Sequence, residues 1–487
     1  MDRAPNILWI CTDQQRWDTL GCYGNAFVRT PNIDRLAAQG TLFERAYAQS
    51  PVCTPSRASF LTGRYPRTTR TRQNGQDIPA DERLMSRVLA DQGYACGLAG
   101  KLHLSACHPS AAPLIERRID DGYINFHWSH HPARSPQKGA MNNWAANEYD
   151  TWLRERGADY ETPPFEGSKH VQVGMPADLH QTTWCAEKAI SFMQANAGLS
   201  HPWMFSVNIF DPHHPFDPPA EYLERYLDRL DDIPLPNVDP AEPQSKTTVQ
   251  GIDHEGAYGG RAGFAFDSMS DRDHRLVRAA YWAMCDLIDD QVGRMLDALD
   301  ETGQRHNTIV IFMSDHGEML GDHGIYLKGC YFYEEAVRVP LIMAGPGIAA
   351  GVRVSDMVEL VDLAPTLLEL CGIKREPGMQ GRSLAPALDG SGTGGRDNVY
   401  CEYYNAMPWH PPEVHPQATM VRTDDMKLVV IHGADEGELY DLRADPQERH
   451  NLWSDPERVN DKLAMYRRLA DRMAWTVDPL PLRRADF

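Results

Sequence analysis

Two apolar runs in this 487-residue chain end in polar tripeptides equipped for chemistry. Asn6–Cys11 leads into Thr12-Asp13-Gln14, and Thr308–Met313 leads into Ser314-Asp315-His316. If the runs are neighbouring strands of a parallel sheet, Asp13, Gln14, Asp315 and His316 meet beyond their carboxyl ends. Open α/β sheets place ligands there. Three oxygen-bearing side chains and one imidazole, with two formal negative charges, suit one divalent cation such as Ca²⁺, Mn²⁺ or Mg²⁺. Either acid alone reads as the cap of a turn; the two together suggest a metal site.

A third segment, Pro51–Tyr65 (PVCTPSRASFLTGRY), adds a nucleophile and a cation. Pro55 marks a helix start and Gly63 its stop. Cys53 is therefore expected just before a helix N-terminus, where unpaired N–H groups and the helix dipole favour an anion. Arg57 supplies a fixed positive charge. On spacing alone, Cys53 is a structural cysteine or at most a low-pKa thiol.

These residues need a scaffold, and the hydrophobic pattern describes one. Strands are expected at Asn6–Cys11, Ala95–Ala99, Trp203–Ile209, Thr308–Met313 and Val339–Ala344. Helices are expected at Pro31–Gly40, Ala80–Gly93, Thr182–Asn196 and within Asp273–Thr302. The alternation predicts an α/β fold: a large, mostly parallel sheet flanked by helices. Residues 105–180 and 228–272 read as long irregular excursions that shape a pocket. The Gly-rich run Asp389–Arg396 reads as a linker. It divides a catalytic α/β domain, 1–390, from a smaller C-terminal α+β domain, 391–487. The latter carries hairpin pieces at Lys427–His432 and Glu438–Leu442 and a final helix over Pro456–Trp475, implying an antiparallel sheet.

Composition narrows the function classes. Apolar residues at 42% and charged residues at 24% exclude disorder as the main state. With 48 Lys+Arg against 68 Asp+Glu, the net charge of −20 argues against broad nucleic-acid binding or docking on anionic membrane. No apolar run reaches the roughly 18–20 residues that span a bilayer. The start, MDRAPNILWI, lacks the features of a secretory signal. The 10 cysteines form no CxxC pair. Reduced thiols in the cytoplasm are the expectation.

Cys53-Thr54-Pro55-Ser56-Arg57, continued by Ala58–Gly63, resembles the C-x-P/A-S/A-R signature of the type I sulfatases. Gly100-Lys101-Leu102-His103-Leu104 resembles that family's G-K-x-H-L, Pro212–Phe216 its P-H-x-P and Ser314–Glu318 its S-D-H-G-E. Lys328 stands at a matching later place, and Leu439–Leu442, Asp445-Pro446 and Asn451-Leu452 resemble its C-terminal segment. The resemblance covers nearly the whole chain. It implies the alkaline phosphatase-like fold and a Cα-formylglycine made from Cys53 by a maturation enzyme. It also implies one divalent ion, Ca²⁺ or Mn²⁺, on Asp13, Gln14, Asp315 and His316.

The implied activity is hydrolysis of a small sulfate monoester to alcohol and sulfate. The hydrated aldehyde attacks sulfur, with deprotonation assisted by Asp315. Arg57, Lys101 and Lys328 offset negative charge. His213 or Lys328 protonates the leaving alcohol, and His103 takes the second hydroxyl's proton. Asn74 is expected to touch substrate, and His214 to stand behind the pocket. His127, His130, His131, His410 and His415 read as loop residues. His316-Gly317-Glu318 followed by His323 is not the H-E-x-x-H of zinc proteases. Gln14 and His316, where many relatives carry Asp and Asn, resemble the choline-sulfatase and phosphonate monoester hydrolase branches. The alternative activity is therefore phosphonate monoester or phosphodiester hydrolysis at the same site. A third reading is an inactive binder of sulfated ligands. The alcohol portion stays open among aryl, choline-like, alkyl and sugar.

Overall fold

A computed structural model describes residues 4–132, 144–239, 242–392, 395–411, 413–483 and 485. Nine strands build the main sheet: β1 Asn6–Thr12, β2 Thr41–Tyr47, β3 Ala95–Gly100, β4 Tyr123–Trp128, β5 Trp203–Asn208, β6 Thr308–Ser314, β7 Arg338–Val339, β8 Leu341–Ala344 and β9 Val352–Glu359. Their order is β4-β3-β5-β1-β6-β8-β2-β7, with β9 also on β2. The central strands β1, β5 and β6 are buried along their whole lengths. That is why they read as continuous apolar runs. Ile7, Trp9 and Cys11 face one core layer, whereas Leu8 and Ile10 face the other. The second layer is covered by helices α1 (Pro31–Ala38), Gln181–Asn196 and Asp271–Glu301.

The expected α/β fold holds, with several corrections. β4-β3-β5-β1-β6 is parallel, but β8 runs antiparallel to β6 and to β2. The strand expected over Val339–Ala344 is two strands, because Pro340 has no N–H to give to a ladder. The helix expected over Ala80–Gly93 covers only Met85–Asp91. The stretch 105–180 is not wholly irregular: it supplies edge strand β4 and the helix Glu148–Glu155. The stretch 228–272 contains the helix Thr248–Glu255, started by a capping box on Thr247 and Gln250. Strands β2 and β9 escaped the sequence reading. Residues 133–143 and 240–241 of the two stretches lie outside the described residues.

A second sheet holds β10 Asn398–Tyr404, β11 Gln417–Thr423, β12 Met426–Ile431 and β13 Glu436–Asp441, all antiparallel neighbours. One face packs Tyr400, Val421, Leu428 and Leu439 against Met465 and Leu469 of the helix Val459–Trp475. The other face shares a core with residues of Asp271–Glu301 and with the segment after β6. The run read as a linker ends on a buried residue: Arg396 is 9% exposed and pairs with Glu359 and Asp362. Residues 393 and 394 of that run lie outside the described residues.

Candidate active site

The register of the central strands creates the site. Thr12 stands opposite Ser314, and both Cys11 and Gly100 stand opposite Asn208. Asp13, Asp315 and Lys101 therefore leave the sheet side by side at its carboxyl edge. Gly100 makes this possible. Its φ is +104°, and a Cβ there would lie 2.0 Å from the Asn208 carbonyl oxygen. No other residue turns the chain at that spot.

Helix α2, Cys53–Thr62, enters from the side with every residue buried. That burial on all faces hides the amphipathic pattern a surface helix shows. Cys53 is the first residue of the helix rather than the one before it. Gly63 ends the helix in the left-handed conformation, φ +68°, as expected. Asn74 accepts the Thr54 N–H at 3.0 Å, so its side-chain oxygen holds the helix start. One turn along, Arg57 forks into both acids: Nε meets Asp315 Oδ2 at 2.8 Å and Nη2 meets Asp13 Oδ2 at 3.0 Å. Ser56 Oγ ties the same turn to the Asp315 carbonyl at 2.6 Å.

Cys53 Sγ is the meeting point. It lies 3.2 Å from His316 Nε2, 3.6 Å from Asp13 Oδ1, 3.6 Å from Lys101 Nζ and 3.0 Å from Lys328 Nζ. Burial and Asp13 push the thiol pKa up, but Lys101, Lys328 and His316 outweigh them, and the thiol sits below its ordinary value. Burial likewise opposes ionisation of Asp13, yet Lys101 and Arg57 hold its carboxyl well below the usual range. Lys101 Nζ reaches Asp13 Oδ2 at 2.5 Å.

Gln14 adopts φ +65°, and its N–H donates to Asp315 Oδ1 at 3.0 Å. Its side-chain oxygen accepts from Lys328 Nζ at 2.8 Å, and its amide nitrogen donates to Glu318. Glu318 also accepts the N–H groups of Leu320 and Leu327, pinning the loop that carries Lys328. Glu318 was legible as part of a motif, but its role as a latch was not.

His213 and His214 stack with ring centres 4.1 Å apart. The His213 Nδ1–H donates to the His214 carbonyl at 2.6 Å. Burial, with Lys328 and His214 alongside, holds the His213 ring well below its ordinary pKa. In the neutral ring the Nδ1 hydrogen is committed to that carbonyl. His103 is also kept neutral, by burial with His130 and Lys101 beside it. The His103 backbone, at φ +53°, is held by Glu116, which accepts the N–H groups of His103, Leu104 and Ser105 and the indole N–H of Trp128. Glu116 lies in an irregular loop, and nothing in its sequence context marks it.

Of the residues read as loop histidines, His130 lies against His103 and His131 against Phe210. His410 bonds Asp253, His127 bonds Glu148, and His415 is near Asn405.

The donor set fits a divalent cation. Asp13, Cys53, Asp315 and His316 each offer one ligand atom within 4.8 Å of the others. His316 donates its Nδ1–H to the Gly317 carbonyl at 2.9 Å, so in the neutral form of the ring Nε2 is an acceptor. That nitrogen stands 4.0 Å from Asp13 Oδ1 and 3.7 Å from Asp315 Oδ1. Acceptors facing one another in a buried space call for a cation between them. The Gln14 side-chain oxygen is occupied by Lys328 Nζ.

The comparisons with known proteins agree with this geometry. The family model for sulfatases matches residues 5–373. A model for the C-terminal part of N-sulphoglucosamine sulphohydrolase matches 321–474. An uncharacterized sulfatase of Escherichia coli K12 is 31% identical over 98% of this chain and 88% of its own. An arylsulfatase of Clostridium perfringens is 30% identical over 93% and 91%. The solved structure of a phosphonate monoester hydrolase from Silicibacter pomeroyi superposes with a TM-score of 0.80 at 25% identity, covering 97% of this chain and 96% of that one. Strand-end acids, a helix-start cysteine and the lysines that converge on it thus sit in a chain that belongs to the sulfatase family of the alkaline phosphatase superfamily, a sulfuric ester hydrolase.

Proposed function

We propose that this enzyme hydrolyses a small sulfate monoester with Cys53 converted to Cα-formylglycine by a maturation enzyme. One Ca²⁺ or Mn²⁺ is held by Asp13, Gln14, Asp315 and His316. When present, the ion and the hydrated aldehyde supply an activated oxygen nucleophile and charge stabilisation at the sulfuryl group. The chain's own residues do the rest. Arg57 fixes both acids through its fork. Lys101 and Lys328 bring two ammonium groups within 3.6 Å of the position-53 side chain. There they offset the charge of the transferring group. Lys328, rather than His213, gives the proton to the leaving alcohol; His213 and His214 form a wall that orients it. His103, neutral and following Lys101, is the proton acceptor. Asn74 keeps the α2 N-terminus, and with it position 53, in place.

The observation that carries the reading is the convergence of Asp13, Asp315, His316, Lys101 and Lys328 on one buried sulfur. The ten cysteines are free thiols, eight of them buried, which supports work in the reducing cytoplasm. The acidic surface supports a partner set without nucleic acid or membrane. No helix among the described residues is long and apolar enough to cross a bilayer.

Gln14 and His316, together with the likeness to a phosphonate monoester hydrolase, support a second reading in which the same site cleaves phosphonate monoesters or phosphodiesters. A monoanionic phosphonate ester resembles a sulfate monoester in charge. Rates on matched aryl sulfate and aryl phosphonate esters decide. The expected result is a higher kcat/KM for the sulfate; a large preference for the phosphonate overturns the assignment.

A further inference from the structure

A second cluster of soft ligands stands beside the reaction centre. His103, Cys107 and His130 each place one potential ligand atom within 4.8 Å of the other two. His103 is 7% exposed and Cys107 is 9% exposed. The rings of His103 and His130 meet edge to face with centres 4.4 Å apart. Nδ1 of each ring is buried without a hydrogen-bond partner. Two orphaned buried nitrogens at one place are costly unless something binds them.

The local scaffold is firm. The Glu116 carboxylate clamps the backbone at 103–105 and, through the Trp128 indole, the end of β4, two residues before His130. It also sets an anion behind the cluster. Two imidazoles and a thiol form a softer ligand set than the carboxylates at Asp13 and Asp315. They suit zinc-class ions over Ca²⁺. A tetrahedral zinc holds such atoms about 3.3–3.7 Å apart, so closing by about 1 Å forms the site with one position left open.

We propose that His103, Cys107 and His130 form a second, thiophilic cation site, and that a zinc-class ion bound there inhibits the enzyme by capturing the His103 imidazole. Binding forms bonds from the cation to two neutral imidazole nitrogens and to the Cys107 sulfur, whose proton passes to solvent. No electron transfer is involved. The inhibitory half rests on the role given to His103 in the sulfatase reading; the binding half does not.

Cd²⁺ is the probe for binding, used on Cys53→Ala protein saturated with Ca²⁺, so that position 53 carries no thiol. The expected result is one equivalent of cadmium–thiolate charge-transfer absorbance, abolished when Cys107→Ser is added. His130→Gln keeps the thiol, and its Cd²⁺ affinity should fall by more than about tenfold, since losing even an outer partner of a metal costs that much. A band that survives Cys107→Ser, or no band at all, overturns the site. For inhibition, Zn²⁺ is titrated into active, Ca²⁺-saturated enzyme. Cys107→Ser should need over about tenfold more Zn²⁺ while its zinc-free turnover stays within about twofold. Equal sensitivity, or binding without inhibition, overturns the capture of His103. A protein that shows the cadmium band yet turns over no sulfate ester would sink the sulfatase reading and leave the cation site standing.

Discussion

Two buried charge clusters of this molecule are built on opposite plans. Where the two sheets join, Glu359 and Asp362 face Arg396 and Arg472, two charges against two. Arg472 reaches Glu359 at 2.6 Å, Arg396 reaches it at 3.2 Å, and Arg396 also pairs with Asp362. Tyr65 OH, the Tyr400 N–H and the Arg382 N–H take the remaining carboxylate lone pairs. Each acid is saturated. At the strand ends, Asp13 Oδ1, Asp315 Oδ1 and His316 Nε2 instead point at one another around Cys53, with ammonium groups aimed at the same sulfur. Balance marks a structural ion network; converging acceptors and donors around a nucleophile mark a reaction centre.

Substitutions that separate chemistry from stability sharpen this contrast. Cys53→Ala should lower sulfate-ester turnover by on the order of 10⁵ or more, as removing a catalytic nucleophile does. Its circular dichroism and Tm should match the parent. Near-normal activity in that variant would remove Cys53 from the chemistry. Asp315→Ala should lose bound metal and activity together, read as metal content of the purified protein beside its rate; full metal occupancy would strike Asp315 from the ligand set.

Arg396→Met should behave the other way. Leaving Glu359 and Asp362 without that partner costs about 3–5 kcal/mol of stability. Tm should fall while kcat/KM of the folded fraction holds. A selective loss of kcat there would blur the distinction between the clusters. Lys328→Ala should cut kcat by about 10²–10³, the scale of losing one electrostatic stabiliser. The loss should be smaller for substrates whose alcohol leaves easily, because proton donation then matters less.

A last effect concerns pH. Burial alone would lower the His323 pKa, but a hydrogen bond to Glu242 and the Glu335 carboxylate 3.6 Å away raise it to about 10. A histidine raised on folding stabilises fully below its ordinary value near 6.5 and loses that contribution as pH climbs through about 10. Tm should decline over this window, and His323→Gln should flatten the decline. An unchanged slope in the variant would show that His323 does not carry it.

Much of the site was legible because its residues follow strands buried on both faces. Such strands appear as unbroken apolar runs, and their ends are easy to find. Asp13 and Asp315 emerged that way, whereas the start of α2 was read from Pro55, two residues inside the helix. Short edge and mixed strands did not. β2 is TLFERAY, with Glu44 and Arg45 partly exposed near the sheet edge, so its apolar run is broken. β4 sits in a stretch rich in His and Trp. Glu116 was invisible because its role depends on accepting N–H groups from a loop, and no spacing records that. His213 shows a further limit: its place was readable, but the 2.6 Å contact of its Nδ1 with the next residue's carbonyl was not.

The most direct test is mass spectrometry of the peptide spanning position 53, on protein from its own host, beside sulfate release from an aryl sulfate ester. The account predicts an aldehyde where the gene encodes Cys53, with turnover in proportion to the converted fraction. An intact thiol in protein that still hydrolyses the ester, or full conversion with no sulfate released, would contradict it.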